Sequence, residues 1–290
     1  MARENELIVA DGGYTGPAGR RVDLAEAFAA AADGTRLHGP GPVALPDTAD
    51  GPGADCTVTG ESSTVAARRL TAAGPGPVAV LNFASARNPG GGYVNGAQAQ
   101  EEALCRASAL YSCLLRVPGF YAHHRAERDP FYSHRVIHSP AVPVFRADSG
   151  LLLDQPFRAG FLTSPAPNAG VIARTMPERT AEIGPVLDER AGRVLEVAVA
   201  HGYRRLVLGA WGCGVFQNDP AVVAASFAAL LGPGGRFARA VDEVVFAVLD
   251  RRADSPTRAA FTAVLAPREQ VTARDGVAPR EPGAGHDPLT

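Results

Sequence analysis

Residues 78–115 read VAVLNFASARNPGGGYVNGAQAQEEALCRASALYSCLL, and this stretch sets the fold class. Val78-Ala79-Val80-Leu81 is a continuous apolar run, the pattern of a strand covered on both faces. A polar segment from Asn82 to Asn88 follows, and then three consecutive glycines, Gly90, Gly91 and Gly92. From Gln98 to Leu115 the apolar residues Leu104, Ala107, Tyr111 and Leu114 recur at helical spacing, which predicts an amphipathic helix. Strand, glycine loop and helix make the repeating unit of a sheet with helices on its faces. In such folds ligands gather at the carboxyl ends of the strands.

A second unit of this kind lies downstream. Arg205 to Leu208 reads as a buried strand, and the loop Gly209-Ala210-Trp211-Gly212-Cys213-Gly214-Val215-Phe216 follows it. Asp219 and Pro220 then suit the N-cap and first position of a helix reaching Leu231. Further strands are expected over Arg135 to Phe145 and Phe161 to Ser164, with prolines breaking the first and closing the second, and over Glu243 to Leu249. Helices are expected over Glu178 to His201, which Gly184-Pro185 can divide, and over Ser255 to Leu265. Upstream, Glu6 to Leu24 reads as two short strands around Gly12-Gly13 and Gly16-Pro17, and Ala25 to Ala32 as a short helix. Asp47 to Asp55 reads as an exposed loop, and Ser62 or Ser63 can cap a helix through Ala66, Ala67 and Leu70. No internal repeat is visible.

Composition narrows the function classes. Hydrophobic residues are 46% and charged residues 20%, an ordinary globular balance. No apolar run approaches the ~20 residues that span a bilayer, and the mixed-charge N-terminus has no signal core, so a cytoplasmic protein without membrane contact is expected. A net charge of −2 argues against direct binding of duplex nucleic acid. All 28 cationic residues are arginine, which removes Schiff-base chemistry and a Walker-type lysine. The four cysteines form no C-x-x-C pair, so neither a zinc site nor a redox motif is supported. Cys105 and Cys113 fall on the predicted helix as small core residues.

The first loop has more to offer. Three glycines let backbone approach a ligand closely and present N–H groups to it. A helix start just downstream adds the positive end of its dipole. Glu101 and Glu102 occupy the first helical turn, where acidic residues complement the dipole by ~0.3–1 kcal/mol without any further role. The preceding glycines shift the reading toward a site. Adjacent helical residues project about 100° apart, so the two carboxylates cannot face each other across a bond as in most glycosidases. A neighbouring charge raises the pKa of the acid and the dipole lowers it; the sequence leaves that balance open.

The spacing from the glycine triplet to Gln100-Glu101-Glu102, with the surrounding Ala99, Leu104, Cys105, Arg106, Ser108, Leu110 and Tyr111, resembles the signature of poly(ADP-ribose) glycohydrolases of bacterial type. The resemblance runs from Val78 to Leu249. It implies an α/β, macrodomain-like fold, a three-layer mixed sheet between helices, and hydrolysis of the ribose–ribose bonds of poly(ADP-ribose). It implies Glu102 as the acid that protonates the departing ribose oxygen and then activates water as base. Glu101 is implied to bind ribose hydroxyls, Gln100 and Asn88 to orient the sugar, and Gly90, Gly91 and Gly92 to lie against ribose and diphosphate. The second loop, with Gly209, Gly212, Cys213, Gly214 and Val215, resembles the diphosphate-binding loop of the same family, and Phe216 the aromatic that packs on the terminal ribose. Glycines in such a loop can offer successive N–H groups to a diphosphate without a basic surface.

The domain reading is an N-terminal extension over 1–72 packed on the core, a macrodomain-like catalytic core over 73–266, and a disordered tail over 267–290. No cofactor and no metal are expected, a monomer is implied by the resemblance, and the partners are poly(ADP-ribose) or ADP-ribose carried on ADP-ribosylated proteins. His123-His124 and the pair His134 and His138 lack the H-E-x-x-H spacing and read as core or solvated histidines. Cys213 has no His or Asn pattern to make it a nucleophile. Trp211 reads as a core or wall residue, Tyr121, Phe131 and Tyr132 as a wall near adenine, Thr163 to Asn168 as a further nucleotide contact, and Arg251-Arg252 as a solvated face. Two other functions fit the same loops: a macrodomain that binds ADP-ribose without cleaving it, and a hydrolase of mono-ADP-ribose conjugates.

Overall fold

The computed structural model describes residues 1–46, 51–250, 252 and 254–265. In chain order its first elements are α1 (Ala2–Ala10), β1 (Gly13–Thr15), β2 (Arg21–Asp23), α2 (Ala25–Gly34), β3 (Arg36–His38), β4 (Asp55–Thr59), α3 (Ser63–Ala73) and β5 (Val78–Phe83). Then come α4 (Gln100–Ala107), α5 (Leu110–Leu114), α6 (Pro118–Glu127), β6 (Val136–Arg146), β7 (Leu152–Ser164) and α7 (Ala169–Thr175). The chain continues with α8 (Ile183–Ala200), β8 (Arg205–Gly209), α9 (Pro220–Leu231), β9 (Glu243–Ala247) and α10 (Pro256–Leu265).

Seven strands form one mixed sheet in the order β3-β6-β7-β5-β8-β9-β4, and β1 with β2 forms a separate hairpin. From β7 to β4 the neighbours run parallel, while β3 and β6 are antiparallel to theirs. β5 lies at the centre, and its side chains alternate between faces. Val78 and Val80 join a core with Ala66 and Leu70 of α3 and Leu104 of α4. Ala79 and Leu81 join a second core with Val194 and Leu195 of α8 and Phe227 of α9. A sheet buried on both faces between helices is the three-layer fold expected. β5 and β8 are adjacent and parallel, so both glycine-rich loops emerge side by side at the carboxyl edge of the sheet.

Several boundaries differ from expectation. Residues 6–10 belong to a helix, and the hairpin is confined to Gly13–Asp23. The predicted Gln98–Leu115 helix is broken at Ser108, which is extended and bridges to Val144. Its hydroxyl donates to the Leu104 carbonyl and accepts from the Leu110 N–H, a side chain competing with the helical ladder. Pro140 and Pro143 do not break β6; the register shifts between Ser139 and Val142, and Ala141 takes a φ of 45°. β7 is longer than predicted because exposed Asp154, Gln155 and Arg158 hide its first half. The long helix divides at Glu182, and Gly184 and Pro185 lie in the first turn of α8.

The N-terminal 72 residues are more than an addition to a core, since they supply both edge strands of the main sheet. Residues 47–50 of the expected loop and the expected tail over 267–290 lie outside the described residues. Ser62 caps α3, accepting from the Val65 N–H at 3.1 Å, and Asp219 caps α9, accepting from the Ala221 N–H at 2.8 Å.

α1 reaches the middle of the molecule through buried Asn5. Its amide donates to the carbonyls of Arg106 at 2.7 Å and Cys105 at 3.4 Å, in the last turn of α4, and accepts from Arg146 Nε at 2.6 Å. Helix-terminal carbonyls have no partner within their own helix, so Asn5 serves as a remote cap. Asn5→Ala should therefore lower stability by about 1–3 kcal/mol, since it strands buried polar groups. A urea midpoint that falls with the slope unchanged checks this.

Candidate active site

The chain leaves β5 at Phe83, turns through the glycines and re-enters helix at Gln100. Gly90 and Gly91 are left-handed, with φ of 65° and 58°. A Cβ on Gly91 would collide with Oε1 of Glu102 and come within 3.0 Å of Oε2 of Glu101. The two carboxyl groups thus converge on one glycine, although their Cα–Cβ bonds diverge around the helix.

Two N–H groups of the triplet are spent inside the protein. Gly91 N–H donates to the Asn88 carbonyl at 3.0 Å and Gly92 N–H to Glu102 Oε1 at 2.8 Å. The loop is expected to present these groups to a ligand; instead it holds the glutamates that line the cleft. The left-handed turn at Gly90 and Gly91 wraps the backbone around the carboxyl groups, which directs its donors inward.

Glu101 is 2% exposed. Its Oε1 accepts from Asn82 Nδ2 at 3.2 Å and its Oε2 from Ser85 N–H at 2.7 Å. Burial pushes its pKa up to about 8, against the pull of the hydrogen bonds from Ser85, Asn82 and Gly90 and with help from the Glu102 charge. Desolvation therefore decides the balance that the sequence left open for this residue. Glu102 is differently placed. Oε1 is anchored by Gly92, whereas Oε2 is buried and has no hydrogen-bond partner among the described residues. Gln100 had been expected to orient the sugar, but its amide is committed to the scaffold. It accepts from Phe83 N–H at 2.9 Å and donates to the Leu81 carbonyl at 2.8 Å and Ser63 Oγ at 3.1 Å. It locks the start of α4 to the end of β5.

A cleft of ≈ 640 Å³ opens over these residues. Glu101, Glu102, Gln100 and exposed Asn88 line one side, and Gly212, Cys213, Gly214, Val215 and Phe216 the other. Gly90, Gly91, Gly92 and Gly209 are not part of the lining; a Cβ on Gly209 would press on the Ala247 carbonyl of β9 at 2.5 Å. In the second loop the backbone N–H groups of Gly212, Gly214, Val215 and Phe216 donate to nothing among the described residues. Gly212 is left-handed at φ 72° and is held by Asn218, which bonds its carbonyl at 3.1 Å. Such a turn with several unspent donors suits an anion such as a diphosphate.

Tyr132 stands 5.8 Å from Phe216 between ring centroids and also lines the cleft, whereas Tyr121 and Phe131 are buried in the core. Tyr132 and Gln217 both have φ of 59°, strain of the kind that collects at ligand sites. Trp211 is wholly buried, and its Nε1 donates to the Ser164 carbonyl at 2.9 Å. Burial pushes the Cys213 thiol up to about 12, with Asp219 adding to it, so the residue is no nucleophile at neutral pH. Of Thr163 to Asn168, Thr163 is buried against Asn82, and Asn168 caps α7 and lines an adjoining hollow of ≈ 550 Å³.

The sequence model of the microbial-type PARG catalytic domain matches residues 2–147. Among solved structures, poly(ADP-ribose) glycohydrolase from Thermomonospora curvata is 51% identical, with a TM-score of 0.86 over 91% of this chain and 97% of that one. The chain belongs to the microbial-type poly(ADP-ribose) glycohydrolase family. The same Thermomonospora enzyme bound to the inhibitor ADP-HPD is 51% identical, with a TM-score of 0.82 over 90% of this chain and 97% of that one. The glycohydrolase from Deinococcus radiodurans in complex with ADP-ribose is 43% identical, with a TM-score of 0.76 over 84% of this chain and 99% of that one. No curated protein sequence matches. The fold is thus that of a microbial-type glycohydrolase.

For a glycohydrolase site, two supporting residues, Asn82 and Ser85, escaped the sequence reading. Asn82 links Glu101 to Thr163 Oγ1 at 3.1 Å, and Ser85 supplies a backbone donor. The only signal was an asparagine closing an otherwise apolar strand, a polar group that must find partners once buried. The raised pKa of Glu101 has a stability consequence. The unfolded carboxyl ionises near 4.5 and the folded one near 8, so stability is fully present below about pH 4.5 and is lost as pH rises toward 8. The stability difference between wild type and Glu101→Ala should shrink across that window in denaturant titrations. A constant difference would show that Glu101 does not hold its proton.

His123, His124, His134 and His138 do not line the cleft. His124 is buried, with Nδ1 on the Phe120 carbonyl and Nε2 beside Ser133, and His134 lies 3.5 Å from Glu189. His138 instead joins His38 and His201, far along the sheet.

Proposed function

We propose that this chain is a poly(ADP-ribose) glycohydrolase that releases ADP-ribose by cleaving ribose–ribose O-glycosidic bonds, with Glu102 as general acid and then base. The observation that carries the reading is the asymmetry of the Glu102 carboxyl, one oxygen fixed by Gly92 and the other buried and without a partner among the described residues, on a side chain that lines the cleft. A proton donor must be rigid and yet have a free oxygen within reach of the departing group. Glu101 meets a ribose hydroxyl, and its high pKa spares the cleft a second charge at neutral pH. Asn88 borders the sugar, the unspent N–H groups of Gly212 to Phe216 take the diphosphate, and Phe216 with Tyr132 takes the ring faces. Gly90, Gly91, Gly92, Gly209 and Gln100 act through the residues they hold.

Relatives with this fold are described bound to ADP-ribose and to ADP-HPD, which supports ADP-ribose as the recognised unit. The adjoining hollow shares Arg87 and Tyr132 with the cleft and gives a chain longer than one unit a place to run, which favours polymer carried on modified protein. No helix of the described residues is long and apolar enough to cross a membrane. We propose a monomer as the active species, as the family resemblance implies. Incubation with labelled poly(ADP-ribose), and separately with mono-ADP-ribosylated protein, tests the reading. Free ADP-ribose from the polymer and far slower release from the mono-modified protein are expected. Binding without release would make the chain a reader, and equal release would move the substrate to the conjugate.

A further inference from the structure

On the sheet edge three strands away from β5, one ring nitrogen from each of His38, His138 and His201 falls within 4.8 Å of the others. They come from three elements: His38 ends β3, His138 lies on the neighbouring β6, and His201 caps the C-terminus of α8. The Nε2 atoms of His38 and His201 are 3.0 Å apart. Two imidazoles on a tetrahedral zinc, with Zn–N of about 2.0–2.1 Å, hold their nitrogens about 3.3 Å apart. His138 is 3% exposed; its Nε2 meets the Tyr203 hydroxyl at 3.0 Å, and its Nδ1 is buried without a partner among the described residues.

The geometry points to a three-histidine site for a divalent transition-metal ion of the zinc class, tying edge strand β3 to β6 and the end of α8. Nitrogen-only ligation of this kind suits Zn²⁺ and its neighbours rather than Mg²⁺ or Ca²⁺. Tyr203 acts as the outer partner that orients His138. The exposed ring of His201 lies over His138 with an interplanar angle of 26°, and a turn of that ring brings its lone pair to the shared point. Arg193 acts on His38, but its charge is offset by Glu196 at 2.5 Å. A metal here would fasten a short edge strand that otherwise holds by few backbone bonds.

The test is calorimetric titration of the metal-free full chain with Zn²⁺ at neutral pH, alongside thermal melts with and without Zn²⁺. One ion per chain is expected, together with a raised Tm. His38→Ala and His201→Ala should each weaken binding by at least about tenfold and abolish the rise in Tm, while the Cys56→Ser/Cys213→Ser double variant should bind as wild type does. The two more accessible histidines are chosen because removing His138 would strand Tyr203. Absence of binding, binding undiminished in both histidine variants, or binding lost in the cysteine double variant would each overturn the assignment.

Discussion

Glu102→Ala should abolish release of ADP-ribose from polymer while leaving affinity for ADP-ribose nearly intact. General acid–base catalysis by a positioned side chain contributes roughly 10²–10⁴-fold. Glu101 cannot take over, since both of its oxygens are already engaged by Asn82 and Ser85 and its proton is held up to about pH 8. Binding should persist because the donors of the second loop and the Tyr132–Phe216 pair do not depend on Glu102. Glu102→Gln sharpens the test. The amide oxygen can keep the Gly92 contact, so its fold and binding should match wild type, yet it has no proton to give. Turnover of either variant within tenfold of wild type would sink the mechanism, and a parallel loss of binding would assign Glu102 to affinity instead.

Much of this site was legible because its two anchors are local. An apolar tetrapeptide followed by glycines and a helix start announces a strand, a loop and a ligand edge whatever the rest of the chain does, and both loops sit where that pattern put them. The use of each loop was not legible. Both are rich in glycine, yet in the first Gly91 and Gly92 spend their N–H groups on Asn88 and Glu102 while the second leaves four unspent among the described residues. That difference is set by where the left-handed residues fall, at Gly90 and Gly91 in one and at Gly212 in the other. Composition carries no such information, because glycine permits a left-handed turn without specifying it. Edge strands β3 and β4 escaped notice for a different reason. Each is only a few residues long and is defined by its partner, His138 opposite Arg36 and Glu243 opposite Asp55, at sequence separations no local pattern reports. The resemblance implies that Gln100 orients the sugar; its hydrogen bonds with the Phe83 N–H and the Leu81 carbonyl tie it to a strand that no local pattern connects with it.

Gly91→Ala is expected to have an effect on catalysis comparable to loss of the acid itself, although position 91 does not line the cleft. Two costs combine there. A left-handed backbone at φ 58° disfavours any side chain by roughly 1–2 kcal/mol. In addition the new methyl meets Glu102 Oε1 and approaches Glu101 Oε2, so either the loop or the carboxyl groups must shift. A shift breaks the 2.8 Å bond from Gly92 that fixes Glu102, and a misplacement of about 1 Å in a catalytic group can cost roughly 10²-fold in rate. Gly96 separates the two costs. It is left-handed as well, at φ 80°, but a Cβ there meets nothing within 4 Å. Gly96→Ala should therefore lose about 1–2 kcal/mol of stability and keep near-normal turnover, while Gly91→Ala should lose about 10²-fold in turnover at temperatures where both variants remain folded. Equal turnover in the two would mean that the glycine triplet only permits the turn. The expected separation would show that Gly91 is glycine because two carboxyl groups occupy the space a side chain needs.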